Sequence, residues 1–117
     1  MEKPLQITFR GLEPSEAVQA RIRAKAQELE RFAPQIISCH VTVQAPPGHQ
    51  HRGGSYTVHV DVRVPTGELV VSREHGRDHA HEDVYVAVRD AFNAVVRQLE
   101  DYRRRQRGQV KQHEASV

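Results

Sequence analysis

Between Tyr56 and Val64 every second residue is apolar: Tyr56, Val58, Val60, Val62 and Val64 alternate with Thr57, His59, Asp61 and Arg63. Successive side chains of a strand point to opposite faces, so this stretch predicts a strand with one apolar and one polar side. A sheet built from such strands needs a cover on one face only. The same alternation runs through Leu5, Ile7 and Phe9, and through Ile37, Cys39, Val41 and Val43 within a strand predicted over Ile36 to Gln44. Pro65-Thr66-Gly67 is a tight turn, because Pro presets one turn angle and Gly permits positive φ. A fourth strand, Glu68 to Arg73, follows it.

Two amphipathic helices are available as the cover. The first is expected from Pro14, in its first turn, to about Phe32, with Glu13 or Ser15 near the cap and Pro34 as the stop. Val18, Ile22, Ala26, Leu29 and Phe32 line its apolar side. The second is predicted over Asp83 to Tyr102. Val84, Val88, Ala91, Val95, Leu99 and Tyr102 recur at steps of four, three, four, four and three, and Tyr85 and Phe92 widen that stripe. The expected fold is therefore α+β: a β-α-β-β-β-α two-layer sandwich, with a four-stranded sheet and both helices on one face. Residues 1–108 read as a single domain, and 109–117 as a basic, disordered C-terminal tail. The loop from Ala45 to Gly54 holds two Pro and three Gly and reads as a connection inside the domain.

Composition limits the function classes. With 5% aromatic residues and no Trp among 117 residues, the core must come from Val, Ile, Leu and Ala. The single Cys, Cys39, cannot form an intramolecular disulfide, which suits a reducing cytosol. No apolar run approaches the roughly 20 residues that span a bilayer, and Met1 to Thr8 has no signal-peptide core. A cytoplasmic protein without a membrane partner is expected.

The net charge of +2 is unevenly spread. Arg103, Arg104, Arg105, Arg107 and Lys111 fall in one short stretch that contains no acid. One or two cations would suit a helix C-terminus; five suggest a polyanion. With the helices side by side, Arg21, Arg23, Lys25 and Arg31 on the first and Arg89 and Arg97 on the second would continue that surface. Glu28, Glu30, Asp90, Glu100 and Asp101 are interleaved with them, so a plain mixed-charge solvated face is the competing reading for the helices. Phosphate contacts of this kind position a protein on RNA and carry little sequence code.

Catalytic patterns are missing from the sequence. No G-x-S-x-G elbow, Walker loop or G-x-G-x-x-G occurs, and Glu82-Asp83 suits the start of a helix without catalysis. Cys39 lies on the apolar side of its strand as a structural thiol. Of the eight histidines, His40 and His59 fall on the polar sheet face, while His49 and His51 sit in the Gly/Pro loop. His75, His79 and His81 are the candidate metal set, but Gly76 breaks the helix that would align them and no HExxH pattern is present. No enzyme, cofactor, metal or small-molecule substrate is expected.

Asp83-Val84-Tyr85-Val86-Ala87-Val88, followed by Arg97-Gln98-Leu99 and a basic tail, resembles the D-x-Y-x-A-I and R-Q-L signature of the ribosome hibernation promoting factor and ribosome-associated inhibitor family, the sigma-54 modulation proteins. Lys25, Leu29, Glu30 and Phe32 stand where that family carries K-x-x-x-L-E-x-[YF]. The resemblance spans about residues 4 to 112. It implies the β-α-β-β-β-α fold and a cytoplasmic protein of the short form that binds the small ribosomal subunit and its rRNA in stress. It further implies occupation of the channel used by mRNA and tRNA, which blocks translation. Lys25 and Arg97 would be phosphate contacts, and Tyr85 and Leu99 core. Glu28 stands where many relatives carry a basic residue, and Ala94 where they carry Lys. A monomer is expected. The alternative reading is a protein-interaction regulator for which RNA binding is incidental; a metal-dependent hydrolase built on the histidines is a third.

Overall fold

A computed structural model describes residues 5–45, 56–75 and 80–115. The elements run β1 (Gln6–Arg10), α1 (Glu16–Phe32), β2 (Ser38–Gln44), β3 (Tyr56–Val64), β4 (Gly67–His75) and α2 (Ala80–Ala115). The four strands form one sheet in the order β1-β2-β3-β4. β1 and β2 are parallel, a pairing that needs a crossover, and α1 supplies it. The other two pairings are antiparallel. This is the α+β architecture that the alternating strands and striped helices predict.

Register turns the alternation into two surfaces. Ile7, Val41, Val60 and Val71 are paired across all four strands. One residue along, Thr8, Thr42, His59 and Ser72 make the equivalent polar row. The side-chain period of two places these rows on opposite faces. The apolar face is sealed, with Val41, Val43, Val58, Val60 and Val62 fully buried. Val18, Ile22, Ala26 and Leu29 of α1, and Val84, Val88, Ala91, Phe92, Val95 and Leu99 of α2, join the same core. α2 lies over β3 and β4 with α1 beside it.

Local chemistry sets the ends. Ser15 is the N-cap of α1: its Oγ accepts a hydrogen bond from the Val18 N–H at 3.3 Å. Pro14 therefore precedes the cap and lies outside the first turn. At the other end the Ala33 N–H donates to the Leu29 carbonyl at 2.8 Å. Gly11 turns the chain out of β1 at φ +76°, a conformation that favours glycine. β2 begins two residues later than its alternation suggests, and Ile36, just before it, is fully buried while Ile37 is only half-buried. β4 reaches His75, two residues beyond the expected Arg73, because β3 is long enough to pair with it throughout.

α2 differs most from expectation. Its backbone is helical from Ala80 to Ala115, against an expected helix over Asp83 to Tyr102. Its 36 residues span roughly 54 Å at 1.5 Å per residue. Among the described side chains of α2, those up to Tyr102 and Arg103 lie on the core. Tyr102 Oη is hydrogen-bonded to Thr66 Oγ1 in the β3–β4 turn. Beyond that point Arg104, Arg105 and Arg107 are exposed, and the molecule is 61 Å in its longest dimension.

Two outcomes test this packing. Leu99 is fully buried in the α2 stripe, so Leu99→Ala should cost about 2–5 kcal/mol in urea unfolding; a loss under about 1 kcal/mol would contradict its placement. Burial, reinforced by the Asp61 charge, pushes the Cys39 thiol up to about 12 from 9.0. The unfolded thiol loses its proton first, so this group's contribution to stability is complete below pH 9 and declines as pH climbs toward 12. At pH 8 the native thiol should react with a disulfide reagent only as fast as the protein opens. An immediate stoichiometric reaction would show that Cys39 is accessible.

Candidate nucleic-acid interface

On α1, Arg21, Lys25, Glu28 and Phe32 follow one another at steps of four, three and four, which stacks them on one flank. That flank faces α2. The Arg21 guanidinium lies over the Tyr85 ring at 5.1 Å from its centroid. Arg103 lies over the Phe32 ring at 4.6 Å and donates from Nη2 to the Phe32 carbonyl at 2.5 Å. Each end of the interhelical seam is thus closed by an arginine on an aromatic ring. Tyr85, expected in the core, is half-buried at the seam because it serves as one of those platforms.

Between the two clasps lies a groove of about 210 Å³. Lys25, Glu28, Leu29 and Phe32 line it from α1, and Phe92, Asn93 and Val96 from α2. Lys25 Nζ is 3.9 Å from Glu28 Oε2.

The other cations divide by helical spacing. Arg89 and Asn93 lie four and eight residues after Tyr85, which keeps them near the seam, and Arg107 lies four after Arg103. Arg97 and Arg104 are exposed on α2, while Arg31 is exposed on α1. Arg23 and Arg105 each lie two residues from a seam arginine and so point to the opposite flank. Arg23 instead donates to Gln19 Oε1 at 3.2 Å. The backbone of Lys111 is in α2; its side chain lies outside the described residues.

Acidic neighbours hold several of these cations. Arg89 is 3.2 Å from Asp90 and Arg104 is 2.9 Å from Asp101. Exposed pairs of this kind contribute about 0–1 kcal/mol, so a phosphate can displace the carboxylate at little cost. Ala94, which stands where the family resemblance implies a lysine, is buried against the core.

The open sheet face carries a second concavity, about 360 Å³, lined by Arg10, Thr42, Gln44, Thr57, His59 and Ser72. His40 is on this face as expected, with its Nε2 2.9 Å from Thr8 Oγ1. Asp61 Oδ1, opposite His40 on β3, is buried without a hydrogen-bond partner among the described residues. The side chains of the metal candidates His75, His79 and His81 lie outside the described residues; among those described, no three His, Cys, Asp or Glu converge as a ligand set. Likewise, no described helix is long and apolar enough to cross a membrane.

Comparison with known proteins adds a family to this geometry. Residues 5–107 match the family model of the sigma 54 modulation protein / S30EA ribosomal protein. The fold is similar to that of a ribosomal subunit interface protein from Coxiella burnetii, with a TM-score of 0.67 and 18% identity over 85% of this chain and 96% of that one. It is also similar to the N-terminal domain of Protein Y from Thermus thermophilus, with a TM-score of 0.65 and 20% identity over 83% and 94% of the two chains.

Arg103 separates from the other tail arginines in this arrangement. Its half-buried contact with Phe32 ties α2 to the end of α1. Arg103→Gln should therefore lower stability by about 1–2 kcal/mol, the scale of a charged hydrogen bond with a cation–π contact. Arg104→Gln and Arg107→Gln should each stay within about 0.5 kcal/mol. Thermal unfolding of the three variants checks this, and equal midpoints would remove the structural role of Arg103.

Proposed function

The chain belongs to the sigma 54 modulation protein / S30EA ribosomal protein family, whose members associate with the ribosome, and on that premise we propose that it is a hibernation factor that binds the small subunit and inhibits translation. The observation that carries this reading is the course of α2. The helix leaves the core at Arg103 and continues with Arg104, Arg105 and Arg107 exposed. A rigid cationic rod beside a basic interhelical seam suits a cleft walled by RNA. There it meets phosphates through charge, and arginine forks add bidentate contacts.

Inhibition by such a protein needs no turnover. It acts in the cytoplasm by occupying the mRNA and tRNA channel, with an affinity sufficient to exclude those ligands. Rigidity helps, because a preformed helix loses little conformational freedom on binding. Arg21, Lys25, Arg89, Arg97, Arg103 and Arg107 supply the phosphate contacts nearest the seam. Arg104 and Arg105 extend them along the outer sides of the arm, and Arg23, Arg31 and Lys111 are outlying contacts in this reading.

Co-sedimentation with purified small subunits across a salt series tests it, with large subunits as the control and mRNA plus initiator tRNA as competitors. Binding should be salt-sensitive, selective for the small subunit and displaced by the competitors. The triple variant Arg104→Gln, Arg105→Gln, Arg107→Gln leaves the Arg103 anchor intact. It should bind more weakly, with a salt dependence flattened by about 0.7–0.9 log units per lost phosphate contact. Unchanged binding would overturn the role of the arm. Failure of the parent chain to bind at low salt would overturn the reading and favour a protein partner.

A further inference from the structure

The interhelical groove has a chemistry that phosphate binding leaves unused. Its floor is apolar, formed by Leu29, Phe92 and Val96, and at about 210 Å³ it is smaller than the roughly 300–1,000 Å³ of pockets that take whole small-molecule ligands. That is room for one flat ring. Its rim is polar and carries Lys25, Glu28 and Asn93. Glu28 is the residue for which the phosphate reading has no use. It is exposed, it stands on the α1 flank that faces α2, and once Lys25 turns from it to a phosphate its carboxylate is left beside a polyanion, which is unfavourable unless donors of the RNA reach it.

The geometry points to a binding site for a single unpaired guanine base of the RNA, inserted edge-on between α1 and α2 and read by Glu28. This rests on the RNA-binding function proposed above. Single-stranded RNA is recognised through splayed-out bases that pack on apolar side chains and present their Watson–Crick edges. A carboxylate accepts hydrogen bonds and donates none. Of the four bases, only guanine offers two adjacent donors on that edge, N1–H and the N2 amino group, and so matches both carboxylate oxygens. Adenine and cytosine each place a ring-nitrogen acceptor beside their amino group, which repels a carboxylate, and uracil offers a single N–H. Lys25, 3.9 Å from Glu28 Oε2, stands where the nucleotide's phosphate would meet a cation. Arg21 and Arg103 bound the groove at either end, so the flanking phosphates of the strand meet positive charge on both sides. Asn93 supplies an amide for the remaining base edge.

The test uses the full chain and short uridine oligonucleotides that carry one central guanosine, adenosine or inosine, with affinity read by fluorescence anisotropy at fixed salt. A good bidentate base contact discriminates by about tenfold or more. Guanosine should bind about tenfold tighter than adenosine, with inosine, which lacks the N2 amino group, between them. Glu28→Gln is a surface change that should preserve the fold. It should abolish the guanosine preference without weakening the adenosine oligonucleotide, since it removes a negative charge. Lys25→Gln should weaken all three oligonucleotides equally. Equal guanosine and adenosine affinities, a preference that survives in Glu28→Gln, or no oligonucleotide binding by a chain that still binds small subunits would each overturn the base site and leave the ribosome-binding reading standing. Loss of both oligonucleotide and subunit binding would remove the premise along with the site.

Discussion

The burial of one helical stripe against one sheet face governs this molecule. Val88, Val95 and Leu99 of α2 are fully buried in the same core as Val58, Val60 and Val62 of β3. Each such side chain stabilises the folded state by about 1.5–3 kcal/mol relative to exposure. With no Trp and few aromatics, these aliphatic contacts carry the core. α1 is placed by the same constraint, since Val18, Ile22, Ala26 and Leu29 join that core with the helix lying beside α2.

The sheet is shorter than α2, and the exposed basic arm follows from that mismatch. Once Tyr102 has reached the β3–β4 turn and Arg103 has reached Phe32, there is no more core for the helix to lie on. Past that point Arg104, Arg105 and Arg107 are solvated and carry their charge without a desolvation penalty. Side-by-side packing of the helices creates the second feature, a seam clasped by Arg21 on Tyr85 and Arg103 on Phe32 with a groove between them. Membership of a ribosome-associated family is the ground on which a negatively charged partner is proposed for both features.

Much of this was legible in the residues. The ends of β3 coincide with its alternation, because a half-buried strand repeats every two residues and nothing interrupts the repeat. The helical stripes identified the buried faces of α1 and α2 for the same kind of reason. Ser15, one of the two expected cap residues, is the N-cap, so Pro14 stands just before the cap and not in the first turn; Pro is tolerated in either place and only the Ser15 hydrogen bond decides. The length of α2 was underestimated because a polar, basic segment shows no apolar period from which to read a helix. Tyr85 looked like core by spacing, but its position at the edge of the stripe, facing α1, left one ring face for Arg21.

The sequence alone determined the element order, the one-sided sheet, the buried stripes and the concentration of positive charge near the C-terminus, because each depends on residues close together in the chain. Its short motifs also pointed to the family. Tertiary structure decided which cations share a surface. Arg103 meets Phe32 across 71 positions, and Tyr102 meets Thr66 across 36. It also decided that Arg23 and Arg105 point away from the seam, and that Glu28 stands on the rim of an apolar groove beside Asn93. No local pattern encodes such pairings. They arise only when two helices are laid side by side on one sheet face, at a register set by how their side chains interlock.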